Sequence, residues 1–270
     1  MARAILSVLF LVVIHVNANA ADELPFTSSF ESADFSEWDG GNDSSLAVTN
    51  EDASDGQYSA RARHQLGLSN DNWKDHYFGD HPRVNGVPAD DELWLSFDSK
   101  FDTNFSFGND QNLQKIAIVN FEDTNWRRRY QLIINIAVPN ESYVIENLSW
   151  NEDRSFDKTV NYYTQNIGAT SATMRRGQWD NIKLYSKLNT PGQRNGILRL
   201  WVNGVMTIEV TDAYQREETS FNPNKLILSN YTGSRTDISG YQWWDNFYIG
   251  ESAPVATTQF PPSPPILLQQ

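Results

Sequence analysis

The chain has no cysteine among its 270 residues, so neither disulfide bonds nor thiolate metal sites contribute to it. After the first twenty residues it has no long apolar run. Nothing approaches the ~18 consecutive apolar residues of a membrane-spanning helix, which argues against a membrane-embedded protein. Positive charge is scarce: 21 Lys and Arg stand against 34 Asp and Glu, and the net charge of −13 argues against nucleic acid or an anionic membrane surface as a partner. No long segment shows a helical period, and no internal repeat is found.

What is present begins with Arg3, an apolar run from Ala4 to Val16, and Ala18-Asn19-Ala20, a small-x-small cleavage signal. Residues 1–20 therefore read as a secretory signal peptide, and the product as an exported protein, extracellular or periplasmic. Short alternating strands separated by Gly, Asn, Asp and Pro clusters fill most of residues 21–250. They predict one all-β domain, a two-sheet antiparallel β-sandwich or β-jelly roll, expected to act as a monomer. Trp73 to Pro88 reads as a long loop, Asp212 to Asn224 as a connection holding one helical turn, and residues 251–270, with Pro261, Pro262, Pro264 and Pro265, as a disordered tail.

The charge is unevenly spread. Residues 100–199 hold 13 of the 21 Lys and Arg but only 10 of the 34 Asp and Glu, so a locally basic middle sits in an acidic chain. The segment WDNIKLYSKLNTPGQRNGILRLWVNGV, Trp179 to Val205, carries two alternating strands and the hairpin signal Asn203-Gly204. With Ile182, Leu184 and Leu188 in the core, the period of two puts Lys183, Tyr185 and Lys187 on the other face. On the next strand it does the same for Arg199 and Trp201. A face of cations and aromatics suggests sugar binding. In RRYQLIINI, the same rule turns Arg129, Gln131 and Asn135 outward. His76 and His81, in KDHYFGDHP, read as a loop lid over such a face; His-x4-His in a loop lacks the geometry that would hold zinc.

Several phrases resemble a known group. FTSSFESADFSEWDGG, SDGQYSARAR and the closing YQWWDNFYIG resemble exported jelly-roll carbohydrate domains. DELWLSFDSKFDTNFSFG, QKIAIVNF, RRYQLIINI and LNTPGQRNGILRLWVNG follow, in order, the layout of jelly-roll polysaccharide lyases, similar to the alginate and glucuronan lyases and the heparin lyase I group. The resemblance spans roughly Phe26 to Gly250. It implies an acidic polysaccharide as substrate, no required cofactor, a lysine at the place of Lys115, and a structural calcium ion with Glu31 and Asp245 as ligands. The chain departs from the alginate branch in lacking the Gly-Gly-Lys-Leu-Pro-Gly turn. It also has no Glu-x-Asp-x-x-Glu string, which counts against a two-carboxylate hydrolase.

β-Elimination of a uronate polymer removes a proton from the carbon beside a carboxylate. That proton is acidic enough only when the carboxylate charge is neutralised. The expectation is a single cleft in which Lys115, Tyr185, Lys187, Arg129 and Gln131 do the chemistry, with Asn135, Lys183, Arg199, Trp201, His76 and His81 holding the polymer. This cleft requires the strand at Asn181 to Leu188 to lie beside those at Gln114 to Phe121 and Arg129 to Val138. The alternative is a non-catalytic carbohydrate-binding or adhesion domain, with Trp201, Trp243 and Trp244 stacking on sugar rings.

Overall fold

The structure, a computed structural model, describes residues 24–254 except 43, 69–70, 85, 110–112, 139, 151–155, 164–171, 219–220 and 232–234. For residues 149–150 and 156–163 it describes the backbone alone. The expected signal peptide, and all but the first residues of the expected tail, lie outside the described residues.

Two antiparallel sheets form a sandwich. The eight-stranded sheet runs in the order β13 (Val205–Ala213), β12 (Gly196–Val202), β11 (Asp180–Lys187), β6 (Glu92–Phe101), β15 (Gly240–Gly250), β4 (Ser59–His64), β3 (Leu46–Thr49), with β1 (Phe26–Ser28) also paired to β15. The seven-stranded sheet runs β10 (Phe156–Tyr163), β9 (Ser142–Trp150), β8 (Arg128–Ala137), β7 (Leu113–Glu122), β14 (Lys225–Ser229), β5 (Trp73–Tyr77), β2 (Gly40–Asn42). There is no helix among the described residues, the described part of 212–224 included, where a helical turn was expected; β13 runs on to Ala213 and irregular chain follows it. The stretch from Trp73 is likewise not all loop. Its first five residues are β5, whose alternation is hidden because Lys74 and His76 face one way and Trp73, Asp75 and Tyr77 the other.

Between the sheets lies one apolar core. Leu95, Phe97, Ile182, Leu184, Leu198, Leu200, Trp244 and Phe247 enter it from the eight-stranded sheet, and Val119, Phe121, Leu132, Ile134, Ile145 and Leu226 from the other. Each fully buried aliphatic or Phe side chain contributes about 1.5–3 kcal/mol, which is why period-two alternation dictates the face of each strand. The hairpin joining β12 to β13 turns through Asn203 (φ 52°) and Gly204 (φ 77°), the pair of left-handed residues that a type I′ turn requires.

One strand of the seven-stranded sheet breaks its own alternation. On β7, Lys115 pairs with Asn135 but Ala117 already pairs with Ile134, so Ile116 is an extra residue, a β-bulge. Ile116 and Ala117 both point into the core. The Trp244 indole, from the opposite sheet, donates its N–H to the Ile116 carbonyl at 3.1 Å and supplies the partner that the broken ladder leaves missing. Trp244 is thus a fully buried bridge between the sheets, and its expected stacking on a sugar is ruled out by that burial.

Candidate functional site

Side chains that point outward from the middle of the seven-stranded sheet belong to no core, yet they are not exposed. Gln131 and Asn135 are 0 % exposed, Asn120 1 % and Glu122 9 %. They form the floor of a recess. Its described walls include the 78–91 connection carrying His81 and Arg83, the β7–β8 turn with Trp126, Phe221 beneath Arg129, and Tyr231 just past β14.

At one end of this floor the bulge turns Lys115 outward beside Asn135. The Asn135 amide donates to Glu146 on β9 at 3.5 Å, and its Oδ1 has no partner. The Lys115 ammonium lies 4.7 Å from the centre of the Tyr231 ring. Burial lowers the pKa of Lys115, with Glu146 opposing the shift and Arg128 adding to it. Burial pushes Glu146 the other way, upward, against the pull of Lys115 and the Asn135 hydrogen bond. The result is a lysine closer to its neutral amine and a carboxyl closer to its neutral acid than either would be in water.

A band of Ile118, Ile133, Leu148 and Ile227 separates this end from a second polar cluster. There Gln131 donates to Asn120 (2.7 Å), Asn120 donates to Glu122 (2.8 Å), and Lys225 lies 3.5 Å from Glu122 and 3.3 Å from Asp75. Tyr77 donates to Asp75 at 3.1 Å. His81 accepts the Arg83 backbone N–H on Nδ1, so Nε2 carries the proton and donates it to Glu122 at 3.2 Å. Burial pushes the Glu122 carboxyl up, but the His81 hydrogen bond, the Lys225 charge and the Asn120 amide outweigh it and hold the carboxyl below its usual range. Burial and the Asp75 charge push the Tyr77 phenol far up. This cluster is bonded mostly within itself, and it orients Gln131 and lines the recess.

The expected single cleft does not form. Lys115, Arg129, Gln131, Asn135 and His81 belong to the recess, but Tyr185, Lys187, Lys183, Arg199 and Trp201 lie on the outward face of the eight-stranded sheet, because β11 pairs with β6 and β12 there. The two outward faces point away from each other across about 10 Å of core. Alternation fixes which way a side chain points within a sheet and is silent about which sheet. Arg129 is at the rim, its guanidinium 4.9 Å from the Phe221 ring centre and 4.0 Å from Asp123. His76 is a correction of another kind: it faces inward, stacked on Phe26 at 3.7 Å, with Nδ1 3.0 Å from the Asp39 carboxylate, and meets no recess.

Glu31 and Asp245 both clasp the turn at 54–58. Glu31 Oε1 accepts the N–H groups of Gln57 and Tyr58, and Asp245 those of Ser54, Asp55 and Asn246. Both carboxylates accept these N–H groups, and their described contacts are those of a turn clasp. Among the described residues no group of three or more His, Asp or Glu is arranged to hold a metal.

Recess residues absent from the sequence expectation include Tyr231, Glu146, Asn120 and Glu122. Glu146 lies on the face opposite the core residues Tyr143 and Ile145 and was legible as outward. Tyr231 lies just past the end of β14, and only the fold brings it to Lys115.

The family model described as "Polysaccharide lyase" matches residues 30–225. The chain belongs to the polysaccharide lyase family. The lyase shares its fold with an endo-β-1,4-glucuronan lyase from the fungus Trichoderma reesei (TM-score 0.59, 13% identity, covering 84% of this chain and 95% of that one). It is similar to an alginate lyase from Aplysia kurodai (0.59, 12%, 81% and 92%) and to one from Chlorella virus (0.54, 11%, 80% and 93%). At such identities the structural likeness is one of fold. Comparison with curated proteins finds no match. The jelly-roll sandwich and the lyase class expected from the sequence both hold, and the substrate is a polysaccharide.

Proposed function

We propose that this lyase acts on an acidic, uronate-containing polysaccharide, cleaving it by β-elimination in the recess of the seven-stranded sheet with Lys115 as the base. The observation that carries this is the meeting of Lys115, Asn135, Glu146 and Tyr231 on one outward, sheltered surface. The neutral Lys115 amine takes the proton from the carbon beside the uronate carboxylate. The freed electron pair forms the ring double bond, the C–O bond to the leaving sugar breaks, and the Tyr231 hydroxyl gives that oxygen its proton. Asn135, with one amide N–H on Glu146, offers its second to the carboxylate. Further along β8, Gln131 and Arg129 extend the same row of donors. A Glu146 held toward its neutral form repels the polyanion less than an ionised one would.

The N-terminal apolar run supports export, and N-terminal sequencing of the secreted product should begin near residue 21. The test of activity is incubation of the purified protein with alginate, glucuronan, heparin and hyaluronan. At least one should develop the ultraviolet absorbance of an unsaturated uronate, and Lys115→Ala should abolish it. Flat traces across the panel, or full activity in the variant, overturn the proposal.

A further inference from the structure

The outward face of the eight-stranded sheet is left without a role by the chemistry above, yet it carries a group of three aromatic rings. Cross-strand register sets Trp94 of β6 beside Tyr185 of β11 and Tyr185 beside Arg199 of β12; one step along, Ser96, Lys183 and Trp201 align in the same way. The rings form one group. Trp94 and Tyr185 are 4.7 Å apart between centroids, Trp94 and Trp201 5.9 Å and within 21° of parallel. The Arg199 guanidinium lies 5.9 Å from the Tyr185 ring centre while Nε donates to Glu209 at 2.8 Å. Both tryptophans are only half-buried, and the core on the other side of these strands is already filled by Leu93, Leu95, Ile182, Leu184, Leu198 and Leu200. Cross-strand packing alone accounts for about 0.2–1 kcal/mol per pair and does not call for two indoles left only half-buried.

We propose that this face is a second, non-catalytic binding site for a linear anionic polysaccharide. Indole faces receive the apolar faces of pyranose rings. Lys183, Lys187 and Arg199 face Glu92 and Glu209 there, and the cation in excess is Lys183, which lies between Ser96 and Trp201 and makes no ion pair among the described residues, on a protein whose net charge is −13. Arg199 is partly exposed despite Glu209, and Lys187 pairs with Glu92 at the solvent edge. A carboxylate on each sugar, presented at the rim of an aromatic platform, meets a cation there. Because the platform and the recess face opposite ways, they engage different stretches of polymer. The platform then raises the local concentration of substrate without touching the reacting bond. This rests on the uronate reading above.

Affinity electrophoresis separates the two. The probe is whichever polymer gives turnover, or alginate if none does, cast in a native gel with a neutral glucan as control. In a Lys115→Ala background, Trp94→Ala/Trp201→Ala should weaken retention about tenfold or more. Lys183→Glu, which leaves the rings in place and so guards against a folding defect, should weaken it on the anionic polymer alone. With Lys115 intact, the platform variants should keep kcat on short oligosaccharides. Unchanged retention in both variants, or equal retention on the neutral glucan, overturns the platform. Loss of retention without any turnover by the parent protein would sink the uronate chemistry at Lys115 and leave the platform standing.

Discussion

Replacing Asp245 by asparagine should change the pH dependence of stability in a calculable way. Asp245 is fully buried beneath the 54–58 turn, and burial, together with the nearby Asp98 charge, raises its pKa from 3.8 to about 7 against the pull of three backbone N–H groups. A shift of about three units corresponds to about 4 kcal/mol. Between about pH 4 and 7 the folded protein holds a proton at this carboxyl that the unfolded chain has released, so stability falls as pH rises through that window and the full penalty is reached above about 7. In Asp245→Asn the amide oxygen still accepts from Ser54 and Asp55, but the Asn246 N–H loses its acceptor, a pH-independent cost of about 1 kcal/mol. His64, whose pKa burial lowers to about 4, tilts the parent's curve the other way, being stabilising above about 6.5 and lost as pH falls. Only the difference between the two proteins isolates Asp245. Urea unfolding followed by tryptophan fluorescence from pH 4.5 to 8 should show that difference moving toward the variant by about 3–4 kcal/mol as pH rises. A constant difference refutes the reasoning; it would mean an ionised Asp245 throughout, as a bound cation would impose.

Three further outcomes concern the recess. Lys115→Ala should lower kcat by about 10²–10⁴-fold with little change in thermal stability, measured by initial rates on the active polymer. The rate of the parent enzyme should rise with pH through a pKa below that of an ordinary lysine. Since the Glu146 charge supports the protonated form of Lys115, Glu146→Gln should move that limb to lower pH; a limb that stays put would separate the two residues. Trp244→Phe keeps a ring in the core but removes the donor to the Ile116 carbonyl. It should cost about 1–3 kcal/mol in denaturant unfolding and lower kcat more than it alters KM, because the bulge beneath Lys115 loosens.

The outward direction of Arg129, Gln131, Asn135, Lys183, Tyr185 and Trp201 was legible from apolar alternation alone, because burying Leu132, Ile134, Leu184 and Leu200 leaves their neighbours no other side. Their partition between two sheets was not, since it depends on β11 pairing with β6 from 80 residues or more earlier in the chain. The same limit explains His76 and His81. A mixed polar stretch hides a strand that sends one histidine to the core and delivers the other to Glu122, more than 40 residues on. The family resemblance located Lys115 where alternation could not, for a physical reason: the strand around it does not alternate evenly.

That unevenness reaches beyond this site. Counting back in steps of two from Glu122, Asn120 and Ile118, the outward frame of β7 would land on Ile116 and Gln114 and would turn Lys115 into the core. Ile116 resets the frame. A deletion of one residue at 116 or 117 would therefore even out the strand and leave Lys115 facing outward, whereas smoothing the bulge away at unchanged chain length would drive the ammonium among Phe and Leu side chains and offer an isoleucine to substrate. A relative without the extra residue, compared strand by strand with no gap at this point, would set a lysine in this place against Ile116, and it would look lost where it has only changed phase.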